Sequence, residues 1–140
     1  MRVILDTNVL LGALISPYGQ PHGIYLAWME GKFELITSEA QLDELRRVSR
    51  YPKLKNILPA HRVGTLINNL QRAIVLELLP DLENDPGIRD ENDAFLIAMA
   101  LESQSDYLVT GDKHAGIFNK KHVKRTRILT PSDFCREVLG

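Results

Sequence analysis

The sequence predicts an α/β fold, a three-layer sandwich around a mostly parallel central sheet, and three observations carry that expectation. Val3, Ile4 and Leu5 form an unbroken apolar run without helical spacing, as in a strand buried on both faces. Strand-like and helix-like segments then alternate from one end of the chain to the other. No internal repeat or low-complexity segment interrupts them. At 140 residues and 44% hydrophobic composition, residues 1–140 are expected to form a single domain with a substantial core.

The first strand stops at Asp6. Ligands of open α/β sheets bind outside the carboxyl ends of the strands, so an acid here is placed for chemistry as well as for turning the chain. Val9 to Ile15 reads as a buried helix, ended by the loop Ser16-Pro17-Tyr18-Gly19-Gln20-Pro21. His22 to Glu30 resumes a helical pattern that Gly31 stops, and Phe33 to Ile36 is the second strand. Ser38-Glu39-Ala40-Gln41 has the form of a capping box and starts a helix to about Ser49. Leu42, Leu45 and Ser49 share its buried face, with Glu44 at the border.

Tyr51-Pro52 breaks that helix. Val63, Leu66, Ile67, Leu70 and Ile74 give the next helix its period, and Val75 to Leu79 reads as a third strand running into the acidic loop Pro80 to Arg89. Asp93 leads a helix, Ala94 to Leu101, that is apolar nearly all round and therefore buried. Tyr107 to Thr110 is a fourth strand, stopping at Gly111-Asp112. Lys113 to Lys124 is polar, with a short helix expected at Ala115 to Asn119. Arg127 to Leu129 is a last strand, and Thr130-Pro131 starts the final helix.

The net charge of −1 hides a segregation: Glu77 to Asp93 holds seven acids and one base, whereas Lys113 to Arg127 holds six Lys or Arg and no acid. The single cysteine, Cys135, excludes a disulfide framework and a zinc-thiolate site and points to a reducing, cytoplasmic setting. Neither a convincing signal peptide nor a transmembrane segment is visible. His22, His61, His114 and His122 lack metal-ligand spacing and are read as surface residues.

Four carboxylates stand out: Asp6 and Asp112 after strands, Glu44 on a helix border, and Asp93 on the face of a buried helix. Each close pair would repel by ~4 kcal/mol at ~4 Å and an effective dielectric of ~20, so a cation must offset them if they meet. An all-carboxylate set suits hard ions, Mg²⁺ or Mn²⁺, and such ions activate water against phosphodiesters.

Leu5-Asp6-Thr7-Asn8, Ser38 to Glu44-Leu45, Asp93 leading Phe95 to Ala98, and Asp106 to Asp112 resemble the successive motifs of PIN domains, and the resemblance covers essentially the whole chain. It is most similar to the stand-alone VapC-like toxins of toxin–antitoxin systems. The resemblance implies a Mg²⁺- or Mn²⁺-dependent ribonuclease acting on single-stranded RNA, a homodimer, and a cognate antitoxin that fills the active-site groove. By position Asp6, Glu44, Asp93 and Asp112 become the catalytic and metal-binding acids, with Asp90 an alternative to Asp93. Asn8 and Thr110 become polar neighbours that orient carboxylates. The basic residues Lys113, Lys120, Lys121 and Lys124, with Arg46 beyond Glu44, are expected to meet the RNA backbone.

Rival readings are a metal-free PIN-like RNA-binding module and a Mg²⁺-dependent phosphatase or receiver domain. The phosphatase pattern wants an Asp where the chain has Asn8, and the receiver wants its acceptor Asp after a middle strand.

Overall fold

The computed structural model describes residues 1–80, 91–111 and 122–140, the side chains of residues 91–93 excepted. Among the described residues a six-stranded sheet is built from β1 (Arg2–Leu5), β2 (Glu34–Ser38), β3 (Ile74–Leu76), β4 (Tyr107–Val109), β5 (His122–Val123) and β6 (Thr126–Leu129), in the order β3-β2-β1-β4-β6-β5. All pairings are parallel except the hairpin of β5 with β6.

The helices are α1 (Thr7–Ile15), α2 (Gln20–Met29), α3 (Glu39–Val48), α4 (Pro52–Lys55), α5 (Ala60–Leu70), α6 (Glu91–Ser103) and α7 (Pro131–Phe134), the last continuing as a π-helical turn over Cys135–Leu139. They divide between the two faces of the sheet because strand side chains alternate. Val3, Leu5 and Leu35 face one core with Leu10 and Leu11 of α1, Ile24 of α2, Leu45 of α3, Leu66 of α5 and Phe134 of α7. Ile4, Ile36, Leu108 and Ile128 face the other, closed by Leu96, Ile97, Met99 and Ala100 of α6. The expected three layers and mostly parallel sheet are therefore present.

Several boundaries differ for local reasons. α1 begins at Thr7 rather than Val9 because Asp6 itself caps it, its side chain accepting from the Asn8 N–H. α2 begins at Gln20, with Pro21 in the first turn, where a missing N–H costs nothing. Pro52 likewise opens the short α4 instead of only ending α3. The third strand ends at Leu76, short of Leu79. β5 lies in a polar stretch for which no strand was expected; its two residues are too few to show a strand period. The loop Pro80 to Arg89 and the helix expected at Ala115 to Asn119 fall, but for Pro80, outside the described residues.

Candidate active site

β1 is central, and the chain leaves it in both directions across the sheet: β2 and β3 follow on one side, whereas β4 and β6 lie on the other. The strand order thus reverses between β1 and β4, and the carboxyl edge of the sheet at such a reversal is where doubly wound folds bind ligands. Asp6 follows β1 and Thr110 follows β4. The Asp6 N–H donates to the Val109 carbonyl at 2.9 Å, and the Thr110 N–H to the Leu129 carbonyl at 2.9 Å, so backbone bonds fix both residues at the rim.

Their side chains meet. The Thr110 hydroxyl, on a fully buried residue, donates to Oδ2 of half-buried Asp6 at 2.7 Å. Asn8 reaches Asp6 through its backbone N–H, 3.4 Å from Oδ1, while the residue itself is exposed. The carboxylate also lies at the amino end of α1, where the helix dipole favours negative charge.

Glu44 is half-buried on α3, as its border position in the helical pattern implies. One turn earlier, Gln41 is fully buried, its Nε2 donating to the Leu5 carbonyl at 2.7 Å and its Oε1 accepting from the Thr37 hydroxyl at 2.7 Å. The capping box is thus only half formed: Ser38 accepts from the Gln41 N–H at 3.1 Å, but the Gln41 side chain goes to the end of β1 instead of back to Ser38. The overlooked signal was a glutamine in register with Leu45 and Val48, on the buried stripe of an amphipathic helix.

α6 begins at Glu91, so Asp93 is its third residue; the Asp93 side chain, Asp90 and Asp112 lie outside the described residues. Among the described residues no three of His, Cys, Asp and Glu gather closely enough to hold an ion. What is described fits a hard cation at Asp6, whose donors are oxygens alone. The next residue supports the fit, because the buried Thr7 hydroxyl finds no partner among the described residues, and such groups ordinarily have one, whether protein, water or ion.

The basic residues divide. Lys113, Lys120 and Lys121 lie outside the described residues. Lys124 occupies the β5–β6 turn at the amino edge of the sheet, a strand length of roughly 13 Å from the carboxyl edge. That sets Lys124 apart from Asp6, which lies at the opposite, carboxyl edge. Arg125 pairs with Asp106 at 2.6 Å and Arg127 with Glu137 at 3.2 Å. Asp106 is a staple at that same edge: its carboxylate accepts the Arg2 N–H at 2.8 Å. That bond, more than Arg125, holds its pKa below the usual carboxylate value, against the opposing effect of desolvation.

Arg46 pairs with Asp43 at 3.1 Å and, two residues past Glu44, lies about 200° around the helix from it. Arg47, three residues past Glu44, is on the neighbouring face and donates to the Tyr51 hydroxyl at 2.6 Å. His22, expected at the surface, is half-buried, with Nδ1 3.0 Å from the Ala13 carbonyl.

The mostly parallel sheet flanked by helices, with the Asp6 carboxylate held at its switch point, defines an α/β protein of doubly wound type. The sequence profile described as "PIN domain" matches residues 2–114, and the chain belongs to that family, whose members are generally nucleases and typically use divalent metals. The chain is 31% identical over 144 residues to the uncharacterized protein MJ1680 of Methanocaldococcus jannaschii, covering 98% of this chain and 91% of that protein. Its fold is similar to a chain in the crystal structure of VapBC2 from Rickettsia felis bound to a DNA fragment from their promoter. The TM-score is 0.60 at 17% identity, covering 93% of this chain and 98% of that one. Among the described residues no helix is long and apolar enough to cross a membrane.

Proposed function

We infer that this protein is a Mg²⁺- or Mn²⁺-dependent endoribonuclease that hydrolyses phosphodiester bonds of single-stranded RNA, and that it is the toxin of a toxin–antitoxin pair. The observation that carries the reading is the contact between Thr110 and Asp6 at the switch point, which holds a half-buried carboxylate at the place where this fold binds ligands. Asp6, Glu44, Asp93 and Asp112 would hold the ion, with Asp90 as the alternative to Asp93. When bound, the ion supplies an activated water and stabilisation of the leaving oxygen.

The chain's own residues do the rest. Thr110 and the Asn8 backbone amide fix the rotamer of Asp6, and α3, tied to the end of β1 through Gln41, carries Glu44 one turn further on. Arg47, together with Arg50, Lys53 and Lys55 further along, offers cationic contacts for the RNA backbone. Lys113, Lys120 and Lys121 are kept as further RNA contacts, whereas Lys124 and Arg46 are less well placed. An antitoxin is proposed as its partner, in keeping with the likeness in fold to VapBC2, and a homodimer in the cytoplasm completes the reading.

Asp6→Asn is the direct test. Asparagine caps a helix as well as aspartate does through its one amide oxygen, and its Nδ2 can donate to the Thr110 hydroxyl where the carboxylate accepted, so the fold should survive while Mn²⁺ binding and RNA cleavage are lost. Normal cutting by Asp6→Asn, or undiminished cutting by wild type after chelation, would overturn the hydrolase reading. RNA binding without cleavage in saturating Mg²⁺ or Mn²⁺ would favour the silent binding module.

A further inference from the structure

Gln41 is fully buried, and both ends of its amide are used in short hydrogen bonds, to the Leu5 carbonyl and from the Thr37 hydroxyl, each 2.7 Å long. Leu5 is the last residue of β1 and is followed directly by Asp6. Thr37 stands beside it near the end of β2, one step beyond the pairing of Ile4 with Ile36. Glu44 lies three residues past Gln41, one turn along the same helix. One side chain therefore ties the helix that carries Glu44 to the strand end that carries Asp6.

The joints that Ser38, Leu42 and Leu45 make do not do this. Ser38 satisfies the first turn locally, through the Gln41 N–H. Leu42 and Leu45 pack into the core, but apolar contact is non-directional and tolerates small slides of a helix over a sheet. A buried amide bound at both ends does not, because its geometry degrades within tenths of an ångström. Nor does the fold require an amide there, since a buried amide must recover its desolvation cost before it adds stability, and an apolar residue on this stripe would have none to recover.

We propose that Gln41 is a positioning residue that sets the separation of Asp6 and Glu44, acting through the Leu5 carbonyl and touching neither metal nor RNA. This rests on the reading of those acids as metal ligands. A group that orients ligands in this way is expected to be worth ~10–100-fold in metal affinity or activity.

The test uses the full chain with Mn²⁺ as probe, in calorimetric titrations beside melting curves and cleavage kinetics on single-stranded RNA. Gln41→Met keeps length and flexibility but removes both hydrogen bonds; it should weaken Mn²⁺ binding ~10–100-fold and lower kcat, with KM for RNA within about twofold. Thr37→Val leaves Gln41 in place but loosens its amide, and should give a smaller loss in the same direction. Leu70→Ala, which opens a hole in the core under α5, should lower the melting temperature and bind Mn²⁺ like wild type. If Gln41→Met, or Thr37→Val should the former not fold, binds Mn²⁺ within twofold of wild type while Asp6→Asn does not bind, the positioning role is refuted and the metal site stands. If wild type itself fails to bind Mn²⁺, or Asp6→Asn binds it normally, both readings fall together.

Discussion

Thr110→Val probes the bond at the centre of the candidate site. The hydroxyl donates to Asp6 Oδ2 at 2.7 Å from a fully buried residue, so valine fills the same shape and removes one donor. A hydrogen bond to a charged acceptor contributes about 1.5–3 kcal/mol. If all of that served only the fold, a chain of 140 residues would melt lower by about 6–12 °C, at about 4 °C per kcal/mol. If it serves to aim the carboxylate, the same free energy appears as about 10–150-fold weaker Mn²⁺ binding, at ~1.4 kcal/mol per decade. Differential scanning calorimetry and isothermal titration on the same preparation separate the two. Thr110→Ser, which keeps the hydroxyl, should stay near wild type in both. A Thr110→Val protein with wild-type melting, metal affinity and cleavage would refute the reasoning from this contact.

Asp106 gives a pH signature unrelated to catalysis: its folded pKa is lowered, foremost by the Arg2 N–H, so its contribution to stability is complete above the ordinary value near pH ~4 and disappears as pH falls through the lower folded value. The stability gap between wild type and Asp106→Asn, followed by urea melts from acid to neutral pH, should close over that acidic window; a gap independent of pH would show that the carboxylate's charge is not what the edge uses. Lys124 holds a positive φ of 51° in the β5–β6 turn, so Lys124→Gly should raise stability by up to ~1 kcal/mol while leaving RNA affinity within error; weaker RNA binding would return Lys124 to the substrate path. With α6 starting at Glu91, Asp93→Ala should lose Mn²⁺ affinity with little loss of stability, and Asp90→Ala should cost about 1 kcal/mol with affinity kept; the opposite pattern in titration and melting reverses the assignment. Arg47→Ala should reduce the slope of RNA affinity against salt by about one, whereas Arg46→Ala should change it less, and equal slopes would remove the distinction drawn from helix geometry.

The order of elements and the position of Asp6 were legible in the sequence because they are local properties. A buried parallel strand must be apolar on both faces, as Val3, Ile4 and Leu5 are, and an acid that ends such a run lies at the carboxyl edge whatever its neighbours are. The border position of Glu44 on α3 followed in the same way from helical period. The partners of these residues were not legible from local pattern, because they are brought together by strand order; Thr110 and Asn8 were named only through the resemblance to PIN domains. Thr110 meets Asp6 across 104 positions of chain only because β4, and not β3, pairs with the far side of β1. The same ordering sends Lys124 and Arg125 to the amino edge, though in sequence they continue the basic run beyond Asp112. Gln41 shows the limit most plainly: its local pattern satisfies a capping box, and only the packing of α3 across the ends of β1 and β2 gives its amide stronger partners. Periodicity determines which face of an element is buried, but tertiary contact decides which polar atoms meet on that face, since hydrogen-bond direction depends on separations that no local pattern encodes.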